Sequence, residues 1–323
     1  MDKNIILSGI FGAAIGDAVG VPVEFTSREM LANNPVMDMC GFGTHNMPSG
    51  TWSDDTSMML AALDSLAGGY KPEDIMEKFR CWLIEGEYTP YGNVFDAGMT
   101  CSRAIYRYES GTKALNCGGY GYRDNGNGSL MWILAACLYM VTQETAGKLT
   151  EKEAIRRIHE CSGLTHAHII SKAACGLYYF CVREILSDRE HDLITVLQNG
   201  IEKGFTYYKK QEWYNFEDAF KYYNCLENLS IFTRTQEKDI SSSGFVVDTI
   251  KAALWCLLNT TDYRSCVLKA VNLGSDTDTV AAVAGGLAGL FYGYENIPME
   301  WKEKLARREW IEMLCERAMK NFL

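Results

Sequence analysis

The chain is poor in proline, with six in 323 residues. Proline breaks helix interiors, so this scarcity leaves long helices open. The twelve cysteines stand singly between Cys40 and Cys315, with no CxxC pair. That argues against a zinc knuckle or a thioredoxin-type site. Basic clusters are missing, net charge is −10 and the pI is near 5.1. A nucleic-acid surface is therefore not expected. Long uncharged apolar runs are missing too. The longest uncharged one, Val280 to Tyr294, is too short and glycine-rich to span a bilayer, so no membrane partner is expected. The opening MDKNIILSGIFGAAIGDAVG has the apolar look of a signal peptide. However, Asp17 interrupts it, and its small residues fall at helical spacing rather than before a cleavage site. The expectation is a cytoplasmic protein with reduced thiols. No internal repeat, dividing linker, βαβ alternation or clear hairpin is visible.

What is present is helical periodicity. Apolar residues make up 47%, enough for a large core. They recur at three- and four-residue steps over 5–20, 56–67, 73–84, 94–108, 129–142, 151–161, 168–186, 191–203, 216–224, 244–258, 263–271, 278–292 and 309–321. The expected fold is all-α, a compact single-domain helical bundle over residues 1–323. Three stretches lack the pattern. Residues 21–53 are rich in turn formers, and 111–128, GTKALNCGGYGYRDNGNG, hold six glycines. A loop that long inside a compact domain is usually functional. Residues 204–243, aromatic, charged and then serine-rich, are expected to form an insertion or flap.

Three acidic sites stand out: Asp17 and Glu24 in GDAVGVPVEF; Ser53, Asp54 and Asp55 in TWSDDTS; Asp276, Asp278 and Thr279 in GSDTDTVAAVAGG. The last two combine carboxylates and hydroxyls directly before a helical pattern. Helix capping accounts for one aspartate at each. It leaves a surplus charge that would repel its neighbour if buried. Mg²⁺ and Mn²⁺ take carboxylate and hydroxyl oxygens, and four carboxylates from two loops suit two such ions. DTDTV also matches the Asp-x-Asp signature of aspartyl phosphotransferases. There the motif ends an N-terminal β-strand, whereas here it follows the helical CVLKAVNLGS near the C-terminus.

Taken together, GAAIGDAVGVPVEF, GTWSDDTSMML, FDAGMT, NGNGSLM, LTHAH and the segment from Val246 to Gly293 resemble the ADP-ribosylglycohydrolase family, in order from about residue 5 to residue 294. The resemblance implies an all-α bundle around a binuclear Mg²⁺ or Mn²⁺ centre. It implies Ser53, Asp54, Asp55, Asp276, Asp278 and Thr279 as metal ligands. Glu24 would act near the scissile ribose, with Glu24 or Asp55 as general base. The GNGSLM segment, Gly126 to Met131 (with Asn127, Gly128, Ser129 and Leu130 between), would be a diphosphate loop, since its glycines admit close backbone approach. His166 would bond ribose or phosphate, and His168 would be structural. The implied partner is an ADP-ribosylated protein or an ADP-ribose derivative. One residue departs from the family pattern: Trp132 stands where an arginine usually follows the methionine. Asp96 could cap a helix, but similar enzymes acting on modified arginine carry an aspartate here beside the leaving group. The expected reaction is hydrolysis of the N-glycosidic bond of ADP-ribosyl-arginine. The alternatives are an O-linked substrate (ADP-ribosyl-serine or O-acetyl-ADP-ribose) or a non-catalytic pseudoenzyme, ADP-ribose-binding or structural.

Overall fold

The helix Ile5–Gly20 is apolar on every side and lies along a second such helix, Thr277–Tyr292, at the centre of the computed structural model. The model describes residues 4–188, 190–210 and 216–322. The two helices run antiparallel in near backbone contact. A Cβ added at Gly12 would lie 2.4 Å from the Gly285 carbonyl oxygen, one at Gly16 would lie 2.1 Å from that of Ala281, and one at Gly20 would lie 2.4 Å from the Asp278 Cα. Only small residues allow this approach. It has a functional consequence, because Asp17 sits on one helix and Asp278 on the other. The stretch Ile5–Val23 is long and apolar enough to cross a membrane, yet 94% of its most apolar window is buried.

Around this pair pack Asp54–Leu66, Ile133–Thr145, Ile169–Ser187, Val246–Leu258, Tyr263–Asn272 and Arg308–Phe322. Local signals set their ends. Pro72 opens the Pro72–Glu85 helix, and Gly86, at φ 74°, closes it. Thr150 and Glu153 form a capping box on Glu151–Thr165. The Asp262 carboxylate accepts from Ser265 N at 2.8 Å at the start of Tyr263–Asn272. No β-strand occurs among the described residues. The isolated bridges Phe42–Met47, Gly119–His166 and Gly126–Phe245 fasten loops.

The structure redraws three expected boundaries. The helix expected over 94–108 begins only at Met99, because Val94 to Gly98 run as coil. The expected loop 21–53 contains a short helix, Arg28–Asn33. The Arg28 guanidinium there donates to the carbonyls of Leu273, Glu237 and Ile240. Of the expected insertion at 204–243, residues 204–210 prolong the Leu193–Lys210 helix, and 211–215 lie outside the described residues. The remainder holds the short helices Phe216–Phe220 and Leu229–Phe232 with two helical turns.

Candidate active site

Asp17 is buried and holds the start of the Asp54–Leu66 helix. Its oxygens accept from Ser53 N at 3.0 Å, from Thr56 N at 3.1 Å and from the Thr56 hydroxyl at 2.6 Å. Free N–H groups at a helix start are thus met by a carboxylate from a neighbouring helix. Burial pushes Asp17 up to about 6, against the pull of those hydrogen bonds. Ser53 is the cap residue, its hydroxyl accepting from Asp55 N at 3.3 Å. With capping and helix-end duties divided between Ser53 and Asp17, the carboxylates of Asp54 and Asp55 remain available.

Asp55 meets the DTDTV motif across 224 residues. The Thr279 hydroxyl donates to Asp55 Oδ2 at 3.2 Å, and Ser53 Oγ reaches the same oxygen at 3.4 Å. Asp55 Oδ1 is buried without a hydrogen-bond partner. Asp54 accepts from Gly98 N at 3.3 Å. Asp278 accepts from Thr279 N at 2.8 Å, and Asp276 from the Asn127 amide at 2.8 Å. Oxygens of Glu24, Asp276 and Asp278 lie within 4.8 Å of one another. Glu24, Asp54, Asp55 and Asp278 are buried and Asp276 is half-buried.

The electrostatics follow from that crowding. Burial raises Asp55 well above the usual carboxylate range, and Asp17, Asp54 and Asp276 add to it. Burial, then the charges of Glu24, Asp55 and Asp276, does the same to Asp278, and burial with Asp96 does so to Asp54. Glu24 is pushed up to about 9 by burial and by Asp96, Asp276, Asp54 and Asp17. Among the described residues no lysine or arginine forms an ion pair with any of these carboxylates. An all-oxygen donor set of this charge, with a carboxylate oxygen left over inside it, fits a hard divalent cation. A cation there would return each group to its ionised form.

The glycine-rich loop borders this nest. Asn127 is fixed by donating to Thr249 Oγ1 at 2.9 Å as well as to Asp276, and its backbone N–H donates to Gly244 O at 3.0 Å. His166 lies beneath the loop. A Cβ at Gly128 would stand 2.9 Å from its ring and 2.7 Å from Cys101 Sγ, whereas one at Gly126 would meet nothing closer than 3.4 Å. Burial lowers His166 to about 4, so it is neutral at pH 7. The Ser129, Leu130 and Met131 side chains are buried, and Ser129 Oγ lies 3.1 Å from Ser162 Oγ. The helix behind begins only at Ile133, so the loop continues into a turn rather than directly into a helix end. Trp132 is fully buried, edge-on to Phe79 at 5.1 Å, and takes no part in the loop surface. His168 caps the Ile169–Ser187 helix through Ile170 N, a structural role.

Asp96 does not cap a helix: Gly98 is the cap residue of Met99–Glu109. Asp96 instead lies half-buried in coil, and its carboxylate, Glu24 and His45 have atoms within 4.8 Å of one another. Burial raises the Asp96 carboxyl, and His45 opposes this. His45, a lone histidine in a turn-rich loop, escaped the sequence reading as a site residue. Asp17 stood out there as part of an acidic site with Glu24, but its hold on the start of the Asp54–Leu66 helix did not.

The model of the ADP-ribosylglycohydrolase family matches residues 2–322. The chain belongs to the ADP-ribosylglycohydrolase family. It is 31% identical over 313 residues to the ADP-ribosylarginine hydrolase Tri1 of Serratia proteamaculans, covering 95% of this chain and 77% of that one. It is 30% identical to the ADP-ribosyl-[dinitrogen reductase] glycohydrolase of Rhodospirillum rubrum, with 93% and 89% covered. The ADP-ribosylhydrolase ARH3 of Bos taurus matches at 26%, with 96% and 91% covered. A solved structure described as an ADP-ribosylglycohydrolase-related protein complex superposes with a TM-score of 0.78 over 99% of both chains, at 26% identity.

Proposed function

We propose that this protein hydrolyses the N-glycosidic bond of ADP-ribosyl-arginine in modified proteins. It would use two divalent cations, Mg²⁺ or Mn²⁺, held by Ser53, Asp54, Asp55, Asp276, Asp278 and Thr279. The observation that carries this reading is the nest of buried carboxylates that no lysine or arginine neutralises, with Asp55 Oδ1 left without a partner. When bound, such ions polarise oxygens and make water more acidic. The remaining chemistry falls to the chain's own groups. The Gly126–Ser129 backbone, positioned through Asn127, offers a place for the diphosphate, with neutral His166 beneath it. The C1′–N bond to the guanidine breaks and a water adds its hydroxyl to C1′. Glu24 or Asp55 takes that water's proton, and the departing guanidine gains one. The developing positive charge on the ribose is stabilised by the surrounding carboxylates.

Asp96 supports the arginine linkage. It lies at the outer edge of the nest beside Glu24 and does not cap a helix. A carboxylate matches the planar fork of donors on a guanidinium, which stays charged at pH 7. Serine and acetyl esters offer it no such group. The test is a panel of ADP-ribosyl-arginine, ADP-ribosyl-serine and O-acetyl-ADP-ribose with Mn²⁺. Arginine turnover is expected to be fastest, and Asp96→Asn to reduce it at least about tenfold, equivalent to ~1.4 kcal/mol of barrier. Serine linkages cleaved faster, or Asp96→Asn without effect, would sink the arginine assignment. Binding of ADP-ribose without turnover of any substrate would identify a binding protein instead.

A further inference from the structure

His45 lies outside the segments that carry the family resemblance, yet the fold brings it onto Glu24. The loop carrying it turns back on itself through the Phe42–Met47 pair, with Phe42, Gly43 and Asn46 all in the left-handed region at φ 67°, 60° and 53°. Bulky residues adopt that conformation only when surrounding structure compels it. Three contacts with the segment bearing Glu24, two to its backbone and one to the Glu24 side chain, supply the compulsion. Gly43 lies so close to Pro22 that a Cβ would stand 1.8 Å from its carbonyl oxygen. The Thr44 hydroxyl donates to the Glu24 carbonyl at 2.7 Å. His45 Nε2 hydrogen-bonds Glu24 Oε2. The Glu24 segment is pinned in turn to the second acidic motif: Phe25 N donates to Ser275 O at 2.7 Å and Ser275 N to Thr26 O at 2.8 Å. The His45 ring stands 5.2 Å from that of Phe95 and 6.2 Å from that of Phe25, which fixes its plane.

We infer that His45 is a positioning residue: it holds the Glu24 carboxyl at the neck between the carboxylate nest and Asp96, aimed at the scissile bond. This inference rests on the proposed hydrolase activity and on Glu24 acting at the ribose. A flexible glutamate beside the carboxylates of Asp96, Asp276 and Asp278 would otherwise swing away from them towards solvent. The imidazole gives it a partner that is not a carboxylate, and the rigid loop gives that partner one place to stand. Ordered partners around a reactive site commonly contribute roughly ten- to a hundredfold in activity.

Two substitutions separate positioning from packing. His45→Phe keeps a ring between Phe25 and Phe95 and removes the hydrogen bond. His45→Gln keeps a nitrogen able to reach Glu24 and removes the ring. With ADP-ribosyl-arginine and saturating Mn²⁺, His45→Phe is expected to lower kcat at least about tenfold with KM within about twofold. Its thermal stability and its stabilisation by Mn²⁺ should match the parent. His45→Gln should recover most of the lost kcat. If His45→Phe keeps the parent kcat, or if both variants lose activity together with thermal stability, His45 is a packing residue and the inference is wrong. A parent protein that turns over none of the linkages would overturn the functional reading itself, an outcome distinct from an active parent insensitive to His45.

Discussion

Asp55 shows how single residues in this protein trade stability for function. One of its oxygens meets two hydroxyls; the other is buried and unpartnered. Removing its charge while keeping its shape should relieve the metal-free fold. Asp55→Asn is expected to raise the melting temperature of chelator-treated protein by about 2–4 °C, roughly the effect of 1 kcal/mol. The same variant should lose most stabilisation by Mn²⁺ and nearly all turnover. Unchanged stability with unchanged metal response would show that Asp55 is an ordinary helix-end residue. Glu24 and Asp17 add a pH signature. Their folded-state carboxyls lie above the ordinary values of 4.5 and 3.8, at about 9 and about 6. A raised carboxyl binds its proton more tightly when folded. Its contribution is fully present below the unfolded value and is lost as pH rises through the folded one. Metal-free protein should therefore melt progressively lower from about pH 5 to pH 9, and saturating Mg²⁺ should flatten that slope. A flat profile without metal would contradict the crowding.

At the scale of elements, the glycine-rich loop separates two roles that its sequence cannot distinguish. Gly128 is packed against Cys101 and His166, whereas Gly126 has room for a side chain. Gly128→Val should destabilise the fold by about 1–3 kcal/mol through overpacking. Gly126→Val should leave stability nearly intact and weaken ADP-ribose binding about tenfold by blocking approach to the backbone. Denaturant unfolding and calorimetry on both variants check this; the reverse pattern would misplace the diphosphate. The two acidic motifs were legible because each carries more carboxylate than a helix start requires. Their meeting was not legible, since it depends on Gly12, Gly16 and Gly20 letting two helices touch. Asp17 was visible as an acidic site with Glu24, but its role at another helix's start was not, because a cap supplied by a different helix has no local spacing. A cap was one of two roles open to Asp96, beside that at the leaving group, because apolar residues before Met99 continue a helical period that the coil does not follow. His45 gave no signal, since its loop is built from left-handed residues that no periodicity reports.

For the whole molecule, the central helix pair explains why one bundle can bury so much like charge. The Ile5–Gly20 and Thr277–Tyr292 helices provide a rigid apolar body, and the acidic groups gather at the end where Gly20 meets Asp278. The all-α class was legible from periodicity, because the helices far outnumber the irregular stretches and few prolines interrupt them. On the proposed reading, cations in the nest meet the cost of gathering those charges, so activity and stability should depend on metal together. The most direct measurement is turnover of ADP-ribosyl-arginine by chelator-treated protein before and after Mn²⁺ is restored, for the parent and for Asp278→Ala. The parent should be inactive without metal and recover on addition, while Asp278→Ala stays inactive at Mn²⁺ concentrations that saturate the parent. Full turnover in chelator, by either protein, would contradict the account.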